Sequence, residues 1–254
     1  MKDININVLE PNVDLGILIG ILLTDGWVNP KGVIGIANKS DVLLSLFKNK
    51  VRTLFQKNNF CEFTDKRTNV KIIELNSVEV VRLMLNVCPT FRTIPFSDGT
   101  LPKTRLPKFI LGLEQSEIKE ILKIMFSADG AICLGVKWNK IENRWKFTRR
   151  VTLTCWNPTL KEDIGKLLNS IGIEFKISNT DIIIERNVEI LKFIKFIGFL
   201  NGVKISRKSK NWEGFEKNQI LELAIKTFEL KKKDLQKFQT KEDVINFLKS
   251  LVPA

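Results

Sequence analysis

The 254-residue chain contains no histidine and no tyrosine. The first absence removes imidazole general bases, histidine zinc ligands and the nucleases that depend on a histidine base. The second removes covalent chemistry through a tyrosine phenolate, of the kind tyrosine recombinases and topoisomerases use. Cysteine is scarce, with Cys61, Cys88, Cys133 and Cys155 the only four. No two have CxxC spacing, so neither a zinc knuckle nor a redox pair is expected, and buried, reduced thiols of an intracellular protein are the reading. Long apolar runs are also missing. The longest, from Val13 to Leu23, is far short of the roughly 20 residues that span a bilayer. The stretch Met1 to Asp14 has acids and asparagines, not the basic-then-apolar order of a signal peptide. Acidic residues are in deficit: 28 Asp and Glu stand against 41 Lys and Arg, for a formal net charge of +13. A surplus of that size favours a polyanionic partner, and with no membrane segment that partner is nucleic acid. The hydrophobic content of 44% suffices for a core in one large or two small domains.

Two apolar stretches end alike. The first is Leu18-Ile19-Gly20-Ile21-Leu22-Leu23-Thr24-Asp25-Gly26 and the second Leu122-Lys123-Ile124-Met125-Phe126-Ser127-Ala128-Asp129-Gly130, with their Asp residues 104 positions apart. Gly after the last helical turn is ordinary, since it takes the left-handed conformation that stops a helix. Asp just before it is unusual, because a helix C-terminus repels a carboxylate. The first stretch is apolar nearly all round and should be buried. Two buried helices ending in carboxylates need a cation nearby. If they pack side by side through Gly16 and Gly20, the carboxylates meet and make a divalent-metal site of oxygen ligands. One Asp-Gly is most often a turn; two at matching points of an internal repeat point to function.

These stretches resemble the two motifs of a LAGLIDADG homing endonuclease of the double-motif, single-chain kind, and the resemblance in motif and element order covers about residues 13–212. The second copy departs at Ile124, where a small helix-packing residue is usual, and at Ser127, where Asp is frequent. Those departures bear on how closely the helices cross, not on the terminal acid. The resemblance implies an α+β fold of two pseudo-symmetric αββαββα repeats packed through the motif helices, with antiparallel sheets forming a saddle over duplex DNA.

Apolar periodicity and turn signals give the same order after each motif. Trp27 to Lys39 reads as two strands around Asn29-Pro30-Lys31-Gly32, Asp41 to Lys57 as a helix, Phe60 to Asn76 as a hairpin and Ser77 to Cys88 as a helix. The second series is a hairpin from Ala131 to Cys155, a helix from Asn157 or Thr159 through Ile171, a hairpin from Ile173 to Arg186 and a helix from Asn187 to Phe199. Two further helices, Glu213 to Leu230 and Thr240 to Leu251, are joined by Lys231-Lys232-Lys233, read as a solvated run. The expected division is a first repeat over 1–100, a linker over 101–115, a second repeat over 116–212 and a helical extension over 213–254.

From Trp145 to Cys155, Trp145, Phe147, Val151, Leu153 and Cys155 share one parity, and Lys146, Thr148, Arg150, Thr152 and Thr154 the other, with Arg149 breaking the pattern. In a strand these sets face opposite sides. A basic, hydroxyl-rich ribbon suits the major groove, where Arg and Lys read guanine and Thr meets the thymine methyl; a merely solvated sheet face would also be polar. Lys137 and Asn139 join the set from the partner strand, Lys140 and Arg144 from the loop, and Lys176, Arg207 and Lys208 from further on. In the first repeat the candidates are Lys31, Lys39, Thr64, Lys66, Arg67 and Lys71.

Carboxylate-held metal can activate water, stabilise a pentavalent phosphate and neutralise a leaving oxygen. Asp25 and Asp129 are assigned as the metal-binding acids, and the resemblance implies help from the backbone carbonyls of Thr24 and Ala128. It also implies a lysine near the attacking water. Lys103 lies 78 positions after Asp25 and Arg207 lies 78 after Asp129, with Lys204 beside the latter, so Lys103 and Lys204 are the candidates. The reading is a free-standing, monomeric, magnesium-dependent endonuclease, with manganese able to substitute. It would be intron-encoded, need no protein partner and cut double-stranded DNA at a long, imperfectly palindromic site. An RNA maturase or a DNA-binding regulator on the same scaffold is the alternative. A basic structural protein of a nucleoprotein particle leaves two Asp-Gly helix ends unexplained. The lack of histidine argues against an active intein. Abundant Ile, Lys, Asn and Phe suggest an AT-rich genome, and hence an organelle (mitochondrion or chloroplast) or a prokaryotic or archaeal cytoplasm.

Overall fold

The computed structural model describes residues 9–206 and 209–252. The first repeat runs α1 (Val13–Thr24), β1 (Gly26–Asn29), β2 (Val33–Asn38), α2 (Asp41–Phe55), β3 (Phe60–Asp65), β4 (Val70–Asn76) and α3 (Val78–Val87). After a connection holding only the one-turn α4 (Lys108–Leu111), the second repeats that order: α5 (Gln115–Asp129), β5 (Gly130–Asn139), β6 (Arg144–Thr154), α6 (Pro158–Ser170), β7 (Lys176–Ile177), β8 (Asp181–Ile184) and α7 (Asn187–Phe196). Then come α8 (Lys217–Lys226), α9 (Lys232–Leu235) and α10 (Lys241–Ser250). Each repeat makes one four-stranded antiparallel sheet, with orders β1-β2-β4-β3 and β5-β6-β8-β7. This is the α+β architecture of two αββαββα units expected from the sequence.

The helix from Asn187 was expected to reach Phe199 and instead stops at Phe196. Gly198, at φ +63°, turns the chain out of the helix there. Expected β7 is only two residues long.

Helices α1 and α5 pack against each other at the centre. Asn12 caps α1, its side-chain oxygen accepting from the Leu15 N–H at 2.9 Å, and every residue from Leu15 to Leu23 is buried. The small residues needed for a close crossing sit on α1 alone. A Cβ on Gly16 would lie 2.5 Å from Ile121 Cδ1, and one on Gly20 would lie 3.3 Å from Met125 Cγ. Bulky side chains of α5 thus fill notches in α1, so Ile124 does not prevent the approach.

The motif glycines have a different task from the one the sequence suggests. Neither Gly26 nor Gly130 is among the glycines with positive φ. Each helix runs directly into a strand, and the chain folds back so tightly that a Cβ would strike backbone. At Gly26 it would lie 2.7 Å from Leu22 Cα, and at Gly130 only 2.3 Å from the Phe126 carbonyl oxygen. Glycine is needed there for close approach.

The C-terminal extension covers the apolar side of the β5–β6 ribbon. Trp212 Nε1 donates to the Leu134 carbonyl at 2.8 Å, and Trp145 Nε1 donates to that of Phe238 at 3.0 Å. Arg149, the residue that breaks the alternation, faces this covered side. Its guanidinium donates to Thr227 Oγ1 at 2.6 Å and to the Thr227 carbonyl at 2.8 Å, and stacks on Phe228. The exception to the polar pattern is therefore a tether for the extension. Among the described residues no helix is long and apolar enough to cross a membrane.

Candidate metal and nucleic-acid site

The carboxylates of Asp25 and Asp129 lie at adjoining ends of the two central helices, close enough that the charge on Asp25 raises the pKa of Asp129. Their surroundings differ. Asn38, at the end of β2, donates from Nδ2 to Asp25 Oδ2 at 2.6 Å, and its own Oδ1 accepts from the Ser40 N–H at 2.7 Å. In the second repeat the same register position holds Cys155, two residues past Leu153 as Asn38 is two past Ile36. Its thiol donates to the Asn157 carbonyl at 3.6 Å. Asp129 therefore gains no amide there. Burial raises both carboxyls, and Asp129 reaches about 7 through burial and then the neighbouring charge of Asp25.

The lysine whose charge reaches both was not foreseen. Lys217, the first residue of α8, is buried, with 7% of its surface exposed. Its Nζ donates to the carbonyls of Ser127 and Gly130, each at 2.6 Å, and more weakly to that of Phe126 at 3.5 Å. These are carbonyls at the C-terminal end of α5, where the helix dipole is negative. Burial pushes the Lys217 ammonium down to about 8, while both carboxylates pull it back up. One sequence signal marked it: Lys217 begins the stripe 217, 220, 221, 224, whose other members, Ile220, Leu221 and Ala224, are core residues. A lysine on the buried face of a helix needs partners.

Lys103 and Lys204, the candidates for a cation near the attacking water, are exposed. The backbone of Lys204 forms an isolated β-bridge with that of Glu216, and the cation that shifts both carboxyls is Lys217. Thr24 closes α1 with its hydroxyl donating to the Gly20 carbonyl at 2.9 Å, and the carbonyl of Ala128 is not among the acceptors of Lys217. Ser127, the departure from the motif, is a tie: its hydroxyl donates to the Lys123 carbonyl at 2.6 Å and accepts from the Leu200 N–H at 2.7 Å.

Among the described residues no group of three or more His, Cys, Asp or Glu side chains is gathered for a metal. The donors present are two desolvated carboxylates beside helix-end carbonyls, an oxygen set that suits magnesium, manganese or calcium over softer ions. They fit a divalent cation whose other ligands are water or phosphate.

One pH dependence follows. Because the folded-state pKa of Asp129 lies above its unfolded value, the native state binds the extra proton between about 4 and 7. Without metal, this group's contribution to stability should fall as pH rises through that window. The melting temperature in EDTA should drop from pH 5 to pH 8 more for the native chain than for Asp129→Asn.

The second sheet collects the expected basic residues. By register, Lys137, Asn139, Arg144, Lys146, Thr148, Arg150, Thr152 and Thr154 lie on one face, and Lys176 joins them across β8. Arg144 and Lys146 pair with Glu142, and Arg150 and Lys176 with Glu185. Asn139 serves the turn, its Oδ1 accepting from the Ile141 N–H at 3.0 Å. Lys140 is exposed in that turn.

The first sheet is unlike it. Its open face, in register, carries Trp27, Gly35, Glu74 and Cys61 in one row and Ala37, Ile72 and Phe63 in the next. Phe63 is 50% exposed. Thr64 and Lys71 pair with each other on the opposite, helix-packed face, where Lys71 Nζ donates to Asp41 of α2 at 2.6 Å. Lys31, Lys39, Lys66 and Arg67 are exposed in turns at the sheet's ends. Arg207 and Lys208 lie outside the described residues.

Two αββαββα units joined by motif helices that end in a carboxylate pair are the arrangement that the LAGLIDADG resemblance implies. No protein-family model matches the chain, and no curated protein matches it. Among solved structures, it is similar to a variant of the homing endonuclease I-DmoI bound to its target DNA with manganese. That similarity has 16% identity and a TM-score of 0.47, over 73% of this chain and 93% of the other. It is also similar to full-length DUF199/WhiA from Thermatoga maritima, at 12% identity and a TM-score of 0.48, over 96% of this chain and 69% of that one. The N-terminal LAGLIDADG domain of DUF199/WhiA is a third, at 13% identity and a TM-score of 0.46, over 80% and 89%. These likenesses are too distant to add a residue role to the LAGLIDADG geometry.

Proposed function

We propose that the protein is a divalent-metal-dependent endonuclease that hydrolyses both strands of duplex DNA at a long, imperfectly palindromic site. The observation that carries this reading is the pair of desolvated carboxylates, Asp25 and Asp129, at the joined ends of α1 and α5. Bound there, a divalent cation would supply Lewis-acid stabilisation of the phosphate and an activated water. The chain's own part is to hold the carboxylates in position. Asn38 fixes Asp25, Lys217 holds the end of α5, and the glycine notches of α1 keep the helices close. In hydrolysis a water oxygen bonds to phosphorus, one bridging P–O bond breaks, and the leaving oxygen takes a proton from solvent. Two unlike halves within one chain match an imperfectly palindromic target and need no second copy.

The basic face of the second sheet is assigned to phosphate and base contacts. Lys137→Ala should weaken duplex binding for all sequences and lower the slope of log K against log salt by about 1. Lys71→Ala, on the helix-packed face, should leave that slope unchanged. Titrations at several salt concentrations check both.

A second reading, a DNA-binding regulator, is favoured by one observation: Lys217 already supplies a positive charge beside the carboxylates. Incubation with a randomised duplex library in magnesium, with a calcium control, separates the two. Discrete double-strand breaks at one long site support the endonuclease. Tight binding without breaks in magnesium or manganese refutes it in favour of the regulator.

A further inference from the structure

We propose that Lys217 is a resident counter-cation of the Asp25–Asp129 pair and competes there with the divalent metal, so that metal binds weakly to the free protein and well only once a DNA phosphate adds its charge. The inference deepens the endonuclease reading and rests on it. The geometry begins with the lysine's grip: its Nζ is held by the Ser127 and Gly130 carbonyls, which flank the Ala128-Asp129 end of α5, so the ammonium cannot swing into solvent when a metal arrives. Burial enforces this, since removing a buried ammonium from its carbonyl partners is costly.

The second observation is the poverty of the donor set. Among the described residues the two aspartates are not joined by a third Asp, Glu, Cys or His. Two carboxylates beside one fixed ammonium leave at most a single net negative charge for a divalent ion. Calcium and magnesium sites are tuned by the count of charged ligands. A scissile phosphate is the anion that restores the balance, and it arrives with the substrate. The third observation is where the lysine comes from. Lys217 opens α8, outside both repeats, and α8 packs on β5 and α7. Glu216, its neighbour, accepts from the Gly202 N–H at 3.0 Å, and the Lys217 N–H donates to the Val203 carbonyl at 2.9 Å. The C-terminal extension thereby completes the electrostatics of a centre whose acids lie in the repeats.

The test reads manganese binding to the full-length protein by EPR, without DNA and independently of cleavage. Lys217→Gln keeps a donor for the carbonyls and removes the charge; Lys217→Arg keeps the charge; Lys217→Met removes both. Circular dichroism establishes that each is folded, and Lys217→Gln remains informative if Lys217→Met is not. Manganese affinity should rise by about tenfold or more in Lys217→Gln and stay near the native value in Lys217→Arg. An unchanged or weaker affinity in a folded Lys217→Gln overturns the proposal, whether or not the chain cuts DNA. Absence of cleavage with a tighter Lys217→Gln would instead sink the endonuclease reading alone.

Discussion

Asp129→Asn is expected to abolish double-strand cleavage and, at pH 8 in EDTA, to raise the melting temperature. The two effects have one cause. Asp129 is a buried carboxyl pushed up to about 7 by burial and by Asp25, so ionising it at pH 8 costs folding free energy that an amide of the same shape does not. In the proposed mechanism the same ionised group holds the metal. Metal stabilisation of a reacting phosphate is worth several kcal/mol, so losing one of two carboxylates should slow cutting by about 1,000-fold or more. Asp25→Asn should also stop cleavage with a smaller gain in stability, because Asp25 already has the Asn38 amide. Cleavage assays and thermal melts on the same preparations decide it. A variant that cuts at the native rate, or one that loses activity only by melting early, would contradict the assignment.

Gly130→Ala should be the most damaging methyl that can be added to the motif helices. The new Cβ would sit 2.3 Å from the Phe126 carbonyl oxygen and 2.8 Å from Phe126 Cα, both backbone atoms of the helix that carries Asp129. Nothing there can rotate away, so the helix end must shift, at a cost of about 3 kcal/mol. Gly16→Ala meets Ile121 Cδ1 at a similarly short 2.5 Å, but that atom ends a flexible side chain. Its cost should be about 1 kcal/mol. Urea denaturation of the two variants compares them directly. Equal losses would mean that the helix-to-strand reversal is looser than the backbone implies.

Where a segment's chemistry repeats with its geometry, the chain could be read. The parity of Lys146, Thr148, Arg150, Thr152 and Thr154 places them on one face because their apolar alternates all meet a core. The Asp-Gly ends announced themselves by occurring twice. The first sheet resisted because it has apolar residues on both sides. Phe63 and Ile72 face out while Ile73 and Leu75 face the helices, so polarity does not indicate the register, and Thr64 and Lys71 fall on the helix side at its exposed edge. Lys217 was hidden by distance: its place on the apolar stripe of α8 called for partners, but those partners, Ser127 and Gly130, lie 90 and 87 residues earlier. The motif glycines show a third kind of failure, since the residue type was informative but close backbone contact and a left-handed turn ask for the same amino acid.

The proposed function requires that the two helix ends form one metal centre on DNA. A crystal structure of the chain with a cut duplex recovered from the library, soaked with manganese, tests it through anomalous scattering. The expected peak is bounded by the carboxylates of Asp25 and Asp129 and a DNA phosphate, with Lys217 still bound to the end of α5. A peak elsewhere, or an ordered protein–DNA complex with no peak between those carboxylates, would contradict it.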